Sequence, residues 1–149
     1  MDKTLIDEIL SRDNMMLALK KVKANKGAAG VDGIGVDDID DYLKEHWPSI
    51  KERIQKRKYK PNPVLRVEIP KPGGGVRNLG IPTVVDRVIE QAIVQVITPI
   101  VEPHFNDYSY GFRPGRNAQQ AVVKLLEYFN GGYLYVVDID LEKFFDNVP

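Results

Sequence analysis

Apolar side chains recur at roughly helical spacing over residues 3–25, where Leu5, Ile6, Ile9, Leu10, Met16, Leu17, Leu19 and Val22 alternate with charged positions. That period predicts one amphipathic helix. Residues 25–35, NKGAAGVDGIG, hold four glycines in eleven positions and predict a loop or tight turn. The helical period resumes at Ile39, Leu43, Trp47, Ile50 and Ile54, with Asp37 or Asp38 as the cap. It should end near Lys58, because Pro61 and Pro63 follow. VLRVEI (64–69) and VRNLGI (76–81) flank PKPGGG and predict a hairpin with a glycine-rich tip. Thr83, with Asp86 three residues on, opens a helix. Its broad apolar face, Val84, Val85, Val88, Ile89, Ala92, Ile93, Val96, Ile97 and Ile100, predicts deep burial, and Pro99 and Pro103 should end it.

Residues 104–117 show no period and read as an irregular segment rich in aromatics and arginine. Asn117 should cap a helix carrying Ala121, Val122, Leu125, Leu126 and Phe129, stopped at Asn130-Gly131-Gly132. Tyr133 to Ile139 is a β-prone run. The order helix, loop, helix, hairpin, helix, helix, strand predicts an α+β fold with helices packed on a hairpin and a short sheet. The last strand has too few partners here for a whole sheet, so the chain is expected to be cut within a domain.

Composition narrows the classes. The 149 residues include no cysteine, which excludes disulfides and thiolate metal sites. The N-terminus lacks a signal-peptide pattern, and no apolar run reaches membrane-spanning length. A soluble intracellular protein without a membrane partner is the expectation. The formal charge of +0 hides an asymmetry. Residues 51–77 set nine Lys/Arg against two Glu, a local +7. Residues 1–50 set seven cations against ten carboxylates, a local −3, and residues 78–149 set five against nine, a local −4. A basic middle suits a polyanion such as nucleic acid, although a solvated helix face and loop would read the same.

Four segments could carry chemistry. Alternation along a strand would put Asp138 and Asp140 on one face, and two carboxylates there suit a divalent, oxygen-ligated ion, or else cap a turn. Lys71 and Arg77 flank the glycine-rich tip and could meet a phosphate chain, or simply keep a flexible hairpin soluble. YSYGFRPGR (108–116) interleaves aromatics with Arg113 and Arg116, as single-strand stacking needs, while its rings could equally plug a core. NKGAAGVDG (25–33) could follow a nucleic-acid backbone or be a plain interhelix turn; it is not a P-loop.

In order, these segments resemble the reverse transcriptases of group II introns. NKGAAGVDG resembles the block ahead of the fingers in that group; VEIPKPGGGVRNLGIPTVVDRVIEQAI, YSYGFRPGRNAQQAV and YVVDIDLEKFFDNVP resemble the three blocks that follow. The resemblance covers residues 20–149. It implies the fingers and partial palm of a right-hand polymerase, divided as 1–36 (extension helix and loop), 37–81 (basic helix and hairpin) and 82–149 (the rest of the fingers and the start of the palm). It implies an RNA-directed DNA polymerase and maturase of the bacterial cytoplasm, acting in splicing and retrohoming. Asp140 would be the first catalytic aspartate, with Asp138 the weaker fit. Ile139 or Leu141 would lend a backbone carbonyl to one of two Mg²⁺ ions. Lys71 and Arg77 would hold the incoming dNTP, Arg113 would line the nucleotide and template wall, and Phe145, or Phe144, would be the gate against a ribose 2′-OH. Asn25, Lys26 and Gly27 would lie against template or primer, and Lys56, Arg57, Lys58 and Lys60 would grip intron RNA. Implied partners are intron RNA, template RNA and DNA primer, with a homodimer as a further possibility. The family's second metal block, Tyr-Ala-Asp-Asp, is absent from the sequence, so the chain alone is expected to be inactive as a polymerase. A retron, diversity-generating or CRISPR-associated reverse transcriptase, or a non-catalytic RNA-binding module, are the alternatives.

Overall fold

The structure, a computed structural model, describes residues 4–141 and divides into two units, Met1–Pro103 and His104–Pro149. The first unit is helical with one hairpin. Where a single helix is expected over 3–25 there are two, α1 (Leu5–Ile9) and α2 (Arg12–Ala24). A capping box between Thr4 and Asp7 starts α1. The chain then turns at Leu10 and Ser11, and the Asn14 side-chain amide donates to the Ile9 carbonyl at 2.8 Å, satisfying a helix-end acceptor. The same amide reaches the Ala92 carbonyl at 3.0 Å, and Gln95 Nε2 donates back to Asn14 Oδ1 at 2.7 Å. Neither Gly nor Pro marks this break, and buried Ile9 and Leu10 keep the apolar stripe continuous across it. Periodicity alone therefore reads straight through.

Helix α3 (Ile39–Gln55) follows Asp38 and holds Pro48 within its length. It buries Ile39 and Ile50. Strands β1 (Leu65–Pro70) and β2 (Val76–Ile81) pair antiparallel, with Leu65 opposite Ile81, Val67 opposite Leu79 and Ile69 opposite Arg77. Opposed residues share a face, so one side is apolar except for Arg77. The other side carries Arg66, Glu68, Asn78 and Gly80. Nearly the whole hairpin is exposed.

The centre of this unit is α4 (Val84–Val101), which buries Val84, Val85, Val88, Ile89, Ala92 and Val96 against residues of α1, α2 and α3. Each such Val or Ile side chain contributes about 1.5–3 kcal/mol when fully buried, and Ala92 less. Pro99 sits inside the last turn instead of ending the helix, which runs on to Val101 and a short 3₁₀ turn at Glu102–His104. A proline this near the end deletes a single rung of the ladder. Ile93 and Ile100 stand exposed, so burial is deep only over the first three turns or so.

Asp86, only 3% exposed, joins three parts of this unit. Tyr59 Oη donates to its Oδ1 at 2.6 Å, while Thr83 Oγ1 at 2.7 Å and the Asn62 N–H at 3.1 Å donate to Oδ2. The Asp86 N–H in turn donates to Thr83 Oγ1 at 3.2 Å, which is the helix cap. Burial raises the Tyr59 phenol pKa well above its ordinary value, helped by its hydrogen bond to Asp86. Glu90, one turn on, is raised by burial and then by the Asp86 charge.

The second unit holds an irregular loop and α5 (Ala118–Asn130), begun by a capping box between Asn117 and Gln120. The expected stripe Val122, Leu125, Leu126 and Phe129 is present but exposed. The strand expected at Tyr133–Ile139 is not formed: these residues run without a ladder, with Tyr135 97% exposed. A strand exists only with a hydrogen-bonding partner, and among the described residues the sole sheet is β1–β2. No helix of the described residues is long and apolar enough to cross a membrane.

Candidate nucleic-acid interface

The basic strip follows the end of α3. Arg57 takes a left-handed φ of 56°, and the Lys58 and Tyr59 N–H groups both donate to the Arg53 carbonyl, at 2.7 and 3.1 Å. This turn leaves Lys56, Arg57, Lys58 and Lys60 all exposed. Lys56 is drawn to Glu52, whose carboxyl is held below its usual range by that hydrogen bond and charge. Arg53 lies over the Tyr59 ring at 5.6 Å, and Tyr59 is anchored by Asp86. The strip thus rises from a fixed base, and its cations also suit the negative end of the helix dipole.

On the hairpin, the tip closes by Lys71 N–H to the Gly75 carbonyl at 3.0 Å and Gly74 N–H to the Lys71 carbonyl at 3.1 Å. Gly74 (φ 91°) and Gly75 (φ 79°) take values that side chains rarely adopt, which explains glycine there. Lys71 and Arg77 flank this tip in solvent.

The loop after α2 is held to the start of α4. The Arg87 guanidinium donates to the Ala28 carbonyl, and Arg87 Nε is buried with no protein partner. Gly30 is pressed on the α4 cap: a Cβ there would lie 2.7 Å from Thr83 Cα and 2.8 Å from Thr83 N. Asn25 and Lys26 remain exposed and Gly27 half-buried, beside the Arg87 side chain. Of the motif NKGAAGVDG, the first residues face solvent while Ala28 and Gly30 serve the fold.

In the second unit, Arg113 is internal to its own loop. Its Nη1 donates to the Asn106 and Ser109 carbonyls at 2.7 and 3.0 Å, and the guanidinium lies over Phe105 at 5.1 Å. Arg116 lies over Tyr110 at 5.6 Å and pairs with Asp107 at 3.6 Å. Lys124 lies near both Tyr108 (5.7 Å) and Tyr128 (5.6 Å), and pairs with Glu127. A hollow of about 630 Å³ is lined by Tyr108, Tyr110, Arg116 and Lys124 among others.

Asp138, Ile139, Asp140 and Leu141 lie in the exposed stretch that follows. The Leu141 N–H donates to Asp140 Oδ1 at 2.9 Å. Among the described residues no three His, Asp or Glu gather as a metal site. Phe145, its alternative Phe144, Glu142 and Asp146 lie outside the described residues.

Sequence reasoning missed Asp86 as a buried hub, because its N3 position reads as a cap and nothing local points to Tyr59 or Asn62. It missed the Asn14–Gln95 pairing for the same reason.

Residues 69–149 match the family described as reverse transcriptase (RNA-dependent DNA polymerase). The group II intron-encoded protein LtrA of Lactococcus lactis subsp. cremoris is 34% identical over 96% of the chain and 25% of its own length. Protein YkfC of Escherichia coli (strain K12) is 34% identical over 84% of the chain and 34% of its own length. The putative COX1/OXI3 intron 2 protein of Saccharomyces cerevisiae is 31% identical over 98% of the chain and 17% of its own length. The chain thus spans about a quarter of the length of LtrA. The solved structure of a partial Cas6-RT-Cas1–Cas2 complex superposes with a TM-score of 0.56, covering 99% of the chain and 23% of the complex's chain. At 22% identity that likeness speaks to the fold.

Proposed function

The chain belongs to the reverse transcriptase (RNA-dependent DNA polymerase) family, with group II intron-encoded proteins among its relatives, and on that premise we propose that it supplies the fingers and the start of the palm of an intron-encoded RNA-directed DNA polymerase and maturase. The observation that carries the RNA-binding part is the exposed run Lys56, Arg57, Lys58 and Lys60 on its Tyr59–Asp86 anchor. These cations contact the backbone of intron RNA. Lys71 and Arg77, at a tip whose glycines admit close approach, meet the triphosphate of an incoming dNTP. Asn25, Lys26 and Gly27 run along the template or primer backbone.

Reverse transcriptases as a family use divalent metals, Mg²⁺ in this reading. Asp140 offers one carboxylate and Ile139 or Leu141 a carbonyl to that centre; the described residues do not complete it. Arg113 acts by holding its loop in shape beside the nucleotide, given its two carbonyl partners. Phe145 is the proposed 2′-OH gate.

Two measurements test this. Binding of a structured group II intron RNA across a salt series should be tight and salt-sensitive, and weaker when Lys56, Arg57, Lys58 and Lys60 are all changed to Ala. The log–log salt slope should fall by up to about 0.9 for each cation that touches a phosphate. An unchanged slope removes the strip from the interface. In a primer-extension assay with Mg²⁺, the 149-residue chain alone should extend nothing, because its sequence holds no Tyr-Ala-Asp-Asp block to supply the second set of metal carboxylates. Template-dependent incorporation above the enzyme-free control would contradict that. RNA binding together with no extension even by the full-length parent enzyme would favour the non-catalytic RNA-binding module.

A further inference from the structure

Phe112 contributes nothing visible to folding. Its side chain is fully exposed, and its backbone sits at φ 56°, in the left-handed region where glycine is at ease and a side chain is strained. A strained, uncovered aromatic points to a ligand more than to a core.

The loop beneath it is fixed. Arg113 bonds the Asn106 and Ser109 carbonyls and lies over Phe105. The Tyr108 N–H donates to Asn106 Oδ1 at 2.9 Å, and the Ser109 N–H to the Asn106 carbonyl at 3.0 Å. On the other side the Arg116 N–H donates to the Arg113 carbonyl at 3.3 Å, and Gly115 takes φ 71°. Phe112 is therefore presented by a braced turn and not by a floppy tip. Two and four residues on either side, Tyr110 and Arg116 line the hollow that also holds Tyr108 and Lys124. Its carboxylates Asp107 and Glu127 are each engaged by one of those cations.

We propose that Phe112 is a stacking platform for an unpaired nucleobase of a single strand, with the adjoining phosphate falling toward Arg116. An exposed aromatic ring two residues along the chain from Tyr110 and four from Arg116 fits single-stranded nucleic acid, where each base offers a ring and each link a negative charge. A duplex, with its bases already stacked, gains nothing from the ring. This rests on the reading above that the chain binds nucleic acid, but names a residue and a form of ligand that reading leaves open.

The test uses the 149-residue chain with Phe112→Leu, Phe112→Trp and Phe112→Gly variants. Labelled RNA and DNA single strands of about twelve nucleotides, and an RNA duplex of equal length, are titrated by fluorescence anisotropy. Phe112→Leu should weaken single-strand binding about five- to tenfold and leave duplex binding unchanged. Phe112→Trp should bind within about twofold of the parent chain, with emission quenched by the strand beyond any change in Trp47. Phe112→Gly relaxes the backbone, so it should hold or raise the melting temperature while losing single-strand affinity. That opposition excludes misfolding as the cause. The RNA and DNA arms show which strand is preferred. Single-strand binding that Phe112→Leu leaves unchanged overturns the platform while the nucleic-acid reading stands, and Phe112 then meets a protein surface. Equal losses on strand and duplex also overturn it. A parent chain that binds no nucleic acid overturns both.

Discussion

Replacing Asp86 with Ala should destabilise the first unit by on the order of 3 kcal/mol, because the substitution strands three donors at once. Tyr59 Oη, the Asn62 N–H and Thr83 Oγ1 all point at its carboxylate. Each donor left unpaired away from water costs about 1–3 kcal/mol, less whatever solvent recovers at half-exposed Tyr59. In a unit of this size the midpoint moves roughly 4–8 °C per kcal/mol, so thermal unfolding followed by circular dichroism should show a fall of roughly 12–24 °C. Asp86→Asn keeps one acceptor oxygen and should lose less. A melting temperature within about 3 °C of the parent would mean that the hub is not structural. The Ala variant should also blunt RNA binding indirectly, since Tyr59 holds the turn from which Lys58 and Lys60 extend.

The second large effect is expected at Gly30. A methyl group there collides with the backbone of Thr83, which cannot rotate away as a side-chain end could. Overpacking of this kind costs about 1–3 kcal/mol, and Gly30→Ala should lower the urea midpoint by that equivalent with the slope unchanged. Gly73→Ala is the control: its added carbon meets nothing within 4 Å. Equal stability of the two variants would contradict the packing of the loop on α4. Should the prediction hold, a signature glycine of the NKGAAGVDG motif is there for stability, and contact with nucleic acid falls to other residues of the motif, Asn25, Lys26 and Gly27 in the reading above.

What the sequence showed plainly was whatever is written locally. The hairpin, its glycine tip, the cap at Thr83 and the cap at Asn117 are all legible from neighbours within a few residues. The first helix reads as one because Leu10 and Ser11 interrupt it without a breaker residue, using instead an Asn14 side chain that reaches Ile9 and Ala92. Pro99 reads as a stop in the sequence, although a terminal turn tolerates it. Tyr133–Ile139 has every local preference for a strand and no partner among the described residues, which shows that β-propensity is a statement about surroundings as much as about the chain. The charged strip was visible as composition. Its anchoring was not, since Tyr59 and Asp86 are 27 positions apart.

The hairpin is joined mainly to itself. Among the described residues its strands pair only with each other, nearly all of it stands in solvent, and substituents added to Gly73, Gly74 or Gly75 would touch nothing within 4 Å. For the stability of this unit, length at that tip is therefore close to a neutral variable. Lengthening a flexible connection to twice its size costs only about 0.6 kcal/mol in closure entropy, and the helical core does not register the change. Such an arm can be lengthened or shortened without rebuilding what lies beneath it, so the same scaffold can set Lys71 and Arg77 at different reaches while its interior stays as it is.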